Sequence, residues 1–326
     1  MRRQWIKGMA VAVSAGLLAA ALPVQAQNYP NRPVRIIIAF KSGGAVDVVA
    51  RTVGHALQQS LGQPFVVEYK PGGATNIAIK ALTESAPDGY TLMLTANNAA
   101  INPALFNPPP FDPEKDFVPV SMVGRVPVVI AANPNFAANT PADLIKMAKE
   151  KPEAYSFGSP GNASTPHLAF ELFASAAGIK LRHVAYQGGV PAINDTLGGH
   201  IPLVATNALE ISPLAKDGRL KVLAALSAQR IPTMPNVPTI AESGYPGFEA
   251  TVWYGFIAPR GTPPAVVNKL HGAIQAALAT PDVQNRMAQV GGMVSPGSVD
   301  MFASLLRSER ERYAKLIKEA GIKPSN

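Results

Sequence analysis

The chain has no cysteine among its 326 residues. That excludes disulfides, thiolate nucleophiles and cysteine-ligated metals together, so the fold must rest on its apolar core. Charged residues are sparse, at 15%. There is no basic run and no basic patch interleaved with aromatics, which argues against a nucleic-acid partner. The five histidines, His55, His167, His183, His200 and His271, show no zinc spacing. No G-x-G-x-x-G fingerprint, Walker loop or G-x-S-x-G elbow occurs. No close carboxylate pair of the glycosidase kind is evident. The expectation is a protein without cofactor, metal or catalytic set. Hydrophobic residues, in contrast, make up 47% of the chain, enough to build a substantial core.

A long apolar run is also missing. Met9 to Leu22 falls short of the ~20 residues that span a bilayer. It follows Arg2, Arg3 and Lys7 and precedes the small-x-small pattern Val24-Gln25-Ala26. These features predict a secretory signal peptide over residues 1–26, cleaved after Ala26, and a periplasmic location. The Arg2-Arg3 pair also fits twin-arginine export, although a basic start of this kind is ordinary for a Sec signal. Three of the 29 basic residues and none of the 21 acidic ones lie in this segment, so the charge falls from +8 to +5. A mildly positive surface favours small anions.

The remaining chain alternates short apolar runs with amphipathic stretches. Strands are predicted at 34–40, 65–69 and 90–95, with helices at 45–60 and 74–85 between them. This is the pattern of a parallel sheet with helical crossovers. Residues 102–115 read as a Pro-rich loop. Residues 118–132 read as a long β-rich crossover broken at Pro127. Thr140 and Pro141 predict a helix start. Strands at 155–158, 181–186, 201–206 and 220–226 then alternate with helices at 165–177, 190–197 and 208–216. A strand at 251–258 returns to the first unit, and helices at 263–279, 282–290 and 299–320 close the chain. The division is two α/β lobes, one from 27–127 with 252–326 and the other from 128–251.

Three loops could carry function. Phe40-Lys41-Ser42-Gly43-Gly44-Ala45-Val46-Asp47 ends a strand and opens a helix. Two glycines let a backbone approach an anion at a helix N-terminus. An ordinary helix start with Asp47 complementing the dipole explains the same residues. A near copy, Tyr69-Lys70-Pro71-Gly72-Gly73-Ala74-Thr75-Asn76, reads first as a tight turn. The third loop runs from Ser156 to Thr165. Its Ser159, Asn162, Ser164 and Thr165 offer more donors than a helix cap needs, and His167 could orient it.

Further pieces accumulate in a fixed order: Tyr29-Pro30-Asn31-Arg32-Pro33, Pro87-Asp88-Gly89-Tyr90, Gly158-Ser159-Pro160-Gly161-Asn162, His183-Val184-Ala185-Tyr186-Gln187-Gly188, Trp253-Tyr254-Gly255 and Ala258-Pro259-Arg260-Gly261. Together they resemble the solute receptors of tripartite tricarboxylate transporters, the Bordetella uptake gene family. The resemblance implies a type II-like two-lobed periplasmic binding protein. Each lobe would be a mostly parallel sheet flanked by helices, with two crossover strands as hinge. It implies a monomer that captures a small carboxylate for membrane subunits of a transporter. The ligand would be a di- or tricarboxylate, an amino acid or an aromatic acid. Ligand-contacting positions carried over are Phe40, Gly43, Gly44, Ala45, Asp47, Asn97, Ser159, Asn162, Ser164, Thr165, Gly188, Gly189 and Asn207. Lys41 departs from the family's usual loop and could add a cation. Ala205, where the family has a larger residue, could leave room for a bulky ligand. A sensory subunit for a two-component system shares the same pocket, and an exported α/β enzyme acting on a small acid is a more distant alternative.

Overall fold

The computed structural model describes residues 29–40, 42, 43, 45–289 and 291–324. The predicted signal peptide and its cleavage point, together with Lys41 and Gly44, lie outside the described residues.

β1 (Val34–Ile38) is buried except at Arg35, and the other four positions are apolar. α1 (Ala45–Leu61), β2 (Phe65–Tyr69), α2 (Asn76–Thr83) and β3 (Thr91–Thr95) follow. β1 pairs in parallel with both β2 and β3. The expected loop after β3 begins as a helix instead, α3 (Asn98–Leu105), with Pro103 inside it. The apolar spacing of Ala99, Ala100, Ile101 and Leu105 buries one face of α3 and offsets the missing proline N–H.

Pro127 divides the long β-rich run into β4 (Phe117–Val126) and β5 (Val128–Ala132), which belong to different sheets. α4 (Pro141–Glu150) starts with a capping box. Thr140 accepts the Asp143 N–H at 3.1 Å, and the Asp143 carboxylate accepts the Thr140 N–H at 2.9 Å. β6 (Ser156–Ser159), α5 (Thr165–Ala177), β7 (Arg182–Ala185), α6 (Gly189–Leu197), β8 (Leu203–Asn207), α7 (Ala208–Lys216) and β9 (Lys221–Ala225) complete the second unit. β10 (Val252–Pro259) returns to the first sheet. α8 (Pro264–Leu278), α9 (Pro281–Gln289), a two-residue β11 (Met293–Val294) and α10 (Val299–Ala320) end the described chain.

The strand orders are β11-β4-β10-β3-β1-β2 and β7-β6-β8-β5-β9. Strand–helix alternation gives the parallel pairs in each sheet. The crossover strands run the other way: β10 is antiparallel to β3 and β4, and β5 is antiparallel to β8 and β9. Both sheets are therefore mixed. A strand that arrives from the neighbouring lobe has no helix of its own to reverse it. Among the described residues, no helix is long and apolar enough to cross a membrane.

Candidate functional site

Both sheets contribute to one cleft of about 580 Å³. From the first come Phe40 after β1, Thr75 before α2, Asn98 opening α3, and Tyr254 on β10. From the second come the Pro160–Pro166 loop and Asn207 at the end of β8. The loops lie where strands end and helices begin, the usual ligand position in α/β sheets. Another cavity of about 590 Å³, between α5 and α10, contains none of the sequence-predicted residues.

The first Gly-Gly loop is shaped by Asp47. Gly43 has φ +91°, a conformation that favours glycine, and its N–H donates to Asp47 Oδ2 at 2.9 Å. Asp47 Oδ1 accepts from Arg51 Nε at 2.9 Å and from the Tyr69 hydroxyl at 2.8 Å. Burial by itself would raise the Asp47 carboxyl. The Gly43 N–H, the Tyr69 hydroxyl and Arg51 outweigh it and hold the group below its ordinary range. Asp47 is buried and engages protein donors, so it acts on the loop rather than lining the cleft. Phe40 lines the cleft and is half-exposed; Ala45 is the first residue of α1 and does not line it.

The near copy is more than a turn. Pro71, Gly72, Ala74 and Thr75 all line the cleft. Four consecutive residues have positive φ: Gly72 at 109°, Gly73 at 55°, Ala74 at 50° and Thr75 at 78°. A β-branched residue in this region is strained, and strain of this kind gathers at ligand clamps. Asn102, fully buried on α3, supports the conformation. Its Nδ2 donates to the Ala74 carbonyl and to Asn76 Oδ1, each at 2.7 Å. Sequence reasoning missed Thr75; the repeated Gly-Gly motif was the signal that pointed there.

In the second lobe, Asn162, Ser164 and Thr165 line the cleft. Ser164 also caps α5, accepting the His167 N–H at 3.4 Å. Asn162 Nδ2 donates to the Lys323 carbonyl at 2.6 Å, which brings the segment after α10 to the cleft, with Pro324 on its wall. Ser159 is fully buried. Its hydroxyl donates to the Gly161 carbonyl at 2.9 Å and meets His183 Nε2 at 2.7 Å. Gly188 and Gly189 do not line the cleft. The Gly188 N–H donates to the Pro160 carbonyl at 2.9 Å, and a Cβ at Gly189 would come within 2.5 Å of Glu210 Oε2. Asn207 lines the cleft, and its Oδ1 is buried without a hydrogen-bond partner.

Asn97 is turned away from the cleft, fully buried against Thr251, Trp253 and Glu309, while its neighbour Asn98 lines the wall. Ala205 does not open space for a ligand. It is fully buried in the core and paired with Ile130 across β8 and β5, because the side chains of a strand alternate between faces. No group of three or more His, Asp or Glu among the described residues is placed to hold a metal.

Similarity to known proteins agrees with this geometry. Residues 49–322 match the profile of the tripartite tricarboxylate transporter family receptors. Protein BugT of Bordetella pertussis is 37% identical over 305 residues, covering 93% of this chain and 94% of that protein. The solved periplasmic binding protein BugD is 33% identical, with a TM-score of 0.74 over 91% of this chain and 100% of that one. MatC from Rhodopseudomonas palustris, solved with bound malate, is 28% identical, with a TM-score of 0.74 over 89% of this chain and 100% of that one. The two mixed sheets are the two lobes of a periplasmic binding protein fold, and the chain belongs to the tripartite tricarboxylate transporter receptor family, whose members are solute-binding receptors.

Proposed function

We propose that this receptor captures a small organic carboxylate in the cleft between its lobes and presents it to the membrane subunits of a tripartite transporter. The observation that carries the reading is the convergence of five strand-to-helix junctions, three from the first sheet and two from the second, on a single cleft. Backbone N–H groups, Ser164, Thr165, Thr75 and Asn98 supply neutral donors suited to a carboxylate. Closing the lobes strengthens these hydrogen bonds by excluding water and creates a surface that only the loaded form has.

In this reading the lobes divide at 127/128 and 251/252, with Pro127 and the segment before β10 as hinge. The protein acts as a monomer in the periplasm, after cleavage behind Ala26. Phe40, Asn162, Ser164, Thr165 and Asn207 are the principal ligand contacts, with Thr75 added; Gly43 does not line the cleft, and its N–H is held by Asp47.

A thermal-shift panel of malate, adipate, citrate, aspartate and benzoate against neutral analogues tests it. A ligand that binds only the folded state at a hundredfold excess over its Kd adds about 2.7 kcal/mol of stability. The expected result is a rise confined to carboxylates. A response to the neutral analogues alone would reject a carboxylate ligand.

A further inference from the structure

Two imidazole rings lie directly beneath the second-lobe loop. His167, on the first turn of α5, and His183, on β7, stack face to face. Their centroids are 3.6 Å apart and their planes are inclined by 11°. Phe157, on the adjacent strand β6, flanks both rings. Neither histidine lines the cleft, yet each holds one end of the loop that does.

The hold at the far end is through His167 Nδ1, which accepts the Ala163 N–H at 2.9 Å. Nδ1 therefore bears no hydrogen, and the neutral ring carries its hydrogen on Nε2, which faces the Glu171 carboxylate at 3.7 Å. Ala163 is buried and has φ +56°, a region that non-glycine residues rarely occupy. Its N–H must find a partner inside the protein, because a buried orphan donor is costly. The hold at the near end is through His183. Ser159 Oγ donates to the Gly161 carbonyl, so the His183 Nε2–H donates to Ser159 Oγ at 2.7 Å. Gly161, between the two anchors, has φ +156°. The path His183–Ser159–Gly161 and the bond Ala163–His167 thus fix a segment whose next two residues, Ser164 and Thr165, face the cleft.

We propose that the stacked His167–His183 pair is a positioning device for the ligand loop, setting affinity without touching the ligand. The proposal rests on the carboxylate-receptor reading for its affinity arm only. It assigns each ring a specific nitrogen: Nδ1 of His167 as acceptor and Nε2 of His183 as donor.

Amide mimicry separates this role from simple packing. Asparagine can place an oxygen near the position of a histidine Nδ1, and glutamine can place a nitrogen near Nε2. His167→Asn should keep the Ala163 hydrogen bond and His167→Gln should lose it; at His183 the preference reverses, with His183→Gln retaining the Ser159 contact. Hydrogen exchange at the Ala163 amide, read on the unliganded protein, should be protected in wild type and His167→Asn and fast in His167→Gln. Titration with malate and adipate, whichever the wild type binds, should give a roughly tenfold weaker Kd for His167→Gln and a value near wild type for His167→Asn. Equal Kd values for the two variants, or an Ala163 amide protected in both, would overturn the assignment. If wild type ignores both acids but binds another solute, the carboxylate reading fails, and the same variants titrated with that solute decide the positioning role. Thermal midpoints of both variants, measured alongside, separate lost positioning from lost folding.

Discussion

Asn97 and Trp253 stand 156 residues apart in the chain and share a hydrogen bond, with the Trp253 N–H donating to Asn97 Oδ1 at 3.0 Å. The same amide's Nδ2 donates to the Thr251 carbonyl at 3.1 Å and to Glu309 Oε2 at 3.2 Å. One side chain therefore joins the end of β3, the entry to the crossover strand β10 and the middle of α10. Glu309 sits in this network with its carboxyl pushed above the ordinary range. Burial is the cause, opposed by the neighbouring Arg312 and by the hydrogen bond from Asn97. Removing Asn97 leaves a backbone donor, a backbone acceptor and a carboxylate short of partners in the interior. Asn97→Ala should lower unfolding stability by about 3 kcal/mol. Urea denaturation reads this directly, and a loss under ~1 kcal/mol would refute the network's importance.

Asp47 predicts a different outcome, in which binding suffers more than folding. Its carboxylate organises Gly43 and joins Arg51 to Tyr69, but it does not itself line the cleft. Asp47→Ala should cost roughly 1–2 kcal/mol of stability while weakening ligand binding by a larger factor, because the Gly43 backbone loses its fixed direction. The sign of the pH dependence follows from the depressed carboxyl. The contribution is complete above the unfolded pKa of about 3.9 and fades as pH falls through the lower folded value. Calorimetry of wild type and Asp47→Ala at neutral and acid pH checks both parts. Equal affinity in the two proteins would remove Asp47 from the site.

These two residues show how far the sequence was legible. Element boundaries set by local chemistry were readable. α5 begins after the Ser164 cap and ends at Gly178, which has φ +63°. α10 begins after the Ser298 cap and ends at Gly321, again with φ +63°. The limits of β2, α5, α7 and α10 fall where the pattern puts them. Long-range facts were not readable. Nothing near Asn97 announces Trp253, and nothing near Thr75 announces that Asn102, on a helix hidden behind Pro103, holds the strained turn. β11 is two residues long and exists through its pairing with β4. The loops of the candidate site could be named from motifs. Which of their side chains face the cleft and which face inward is decided by packing alone.

His183 carries a pH signature in stability. Burial, with the nearby His167 ring adding to it, pushes its imidazole down to about 3. The folded protein keeps the ring neutral, whereas the unfolded chain takes up a proton below about 6.5. The unfolded state therefore binds more protons between those values. The contribution of His183 is full above pH 6.5 and declines as pH drops towards 3. Other groups titrate in the same window, so the measurement is a difference: thermal midpoints of wild type and His183→Gln from pH 7.5 to 4. The gap should move in favour of the glutamine variant as pH falls, since glutamine cannot be protonated. A gap that stays constant across the series would show that the ring is solvated.

Gly255, within the Trp253-Tyr254-Gly255 motif, tests the first lobe's packing. It lies on β10 at one of the register shifts against β4. A Cβ built on it would stand 2.3 Å from Phe302 Cζ and 2.8 Å from Cε1 and Cε2. Phe302, fully buried on α10, also meets Trp253 edge to face at 5.5 Å. Gly255 thus lets α10 close on the crossover strand, and the glycine serves that contact rather than an unusual φ. Gly255→Ala forces the ring or the helix outward and should cost about 1–3 kcal/mol. Phe302→Leu alone should also destabilise, by leaving space in the core. Combined, the two changes should cost less than the sum of their separate effects, because the smaller side chain makes room for the added methyl. Chemical denaturation of the four proteins completes the cycle. Simple additivity would mean that Phe302 does not meet the new methyl and that α10 sits further from β10 than the packing described here.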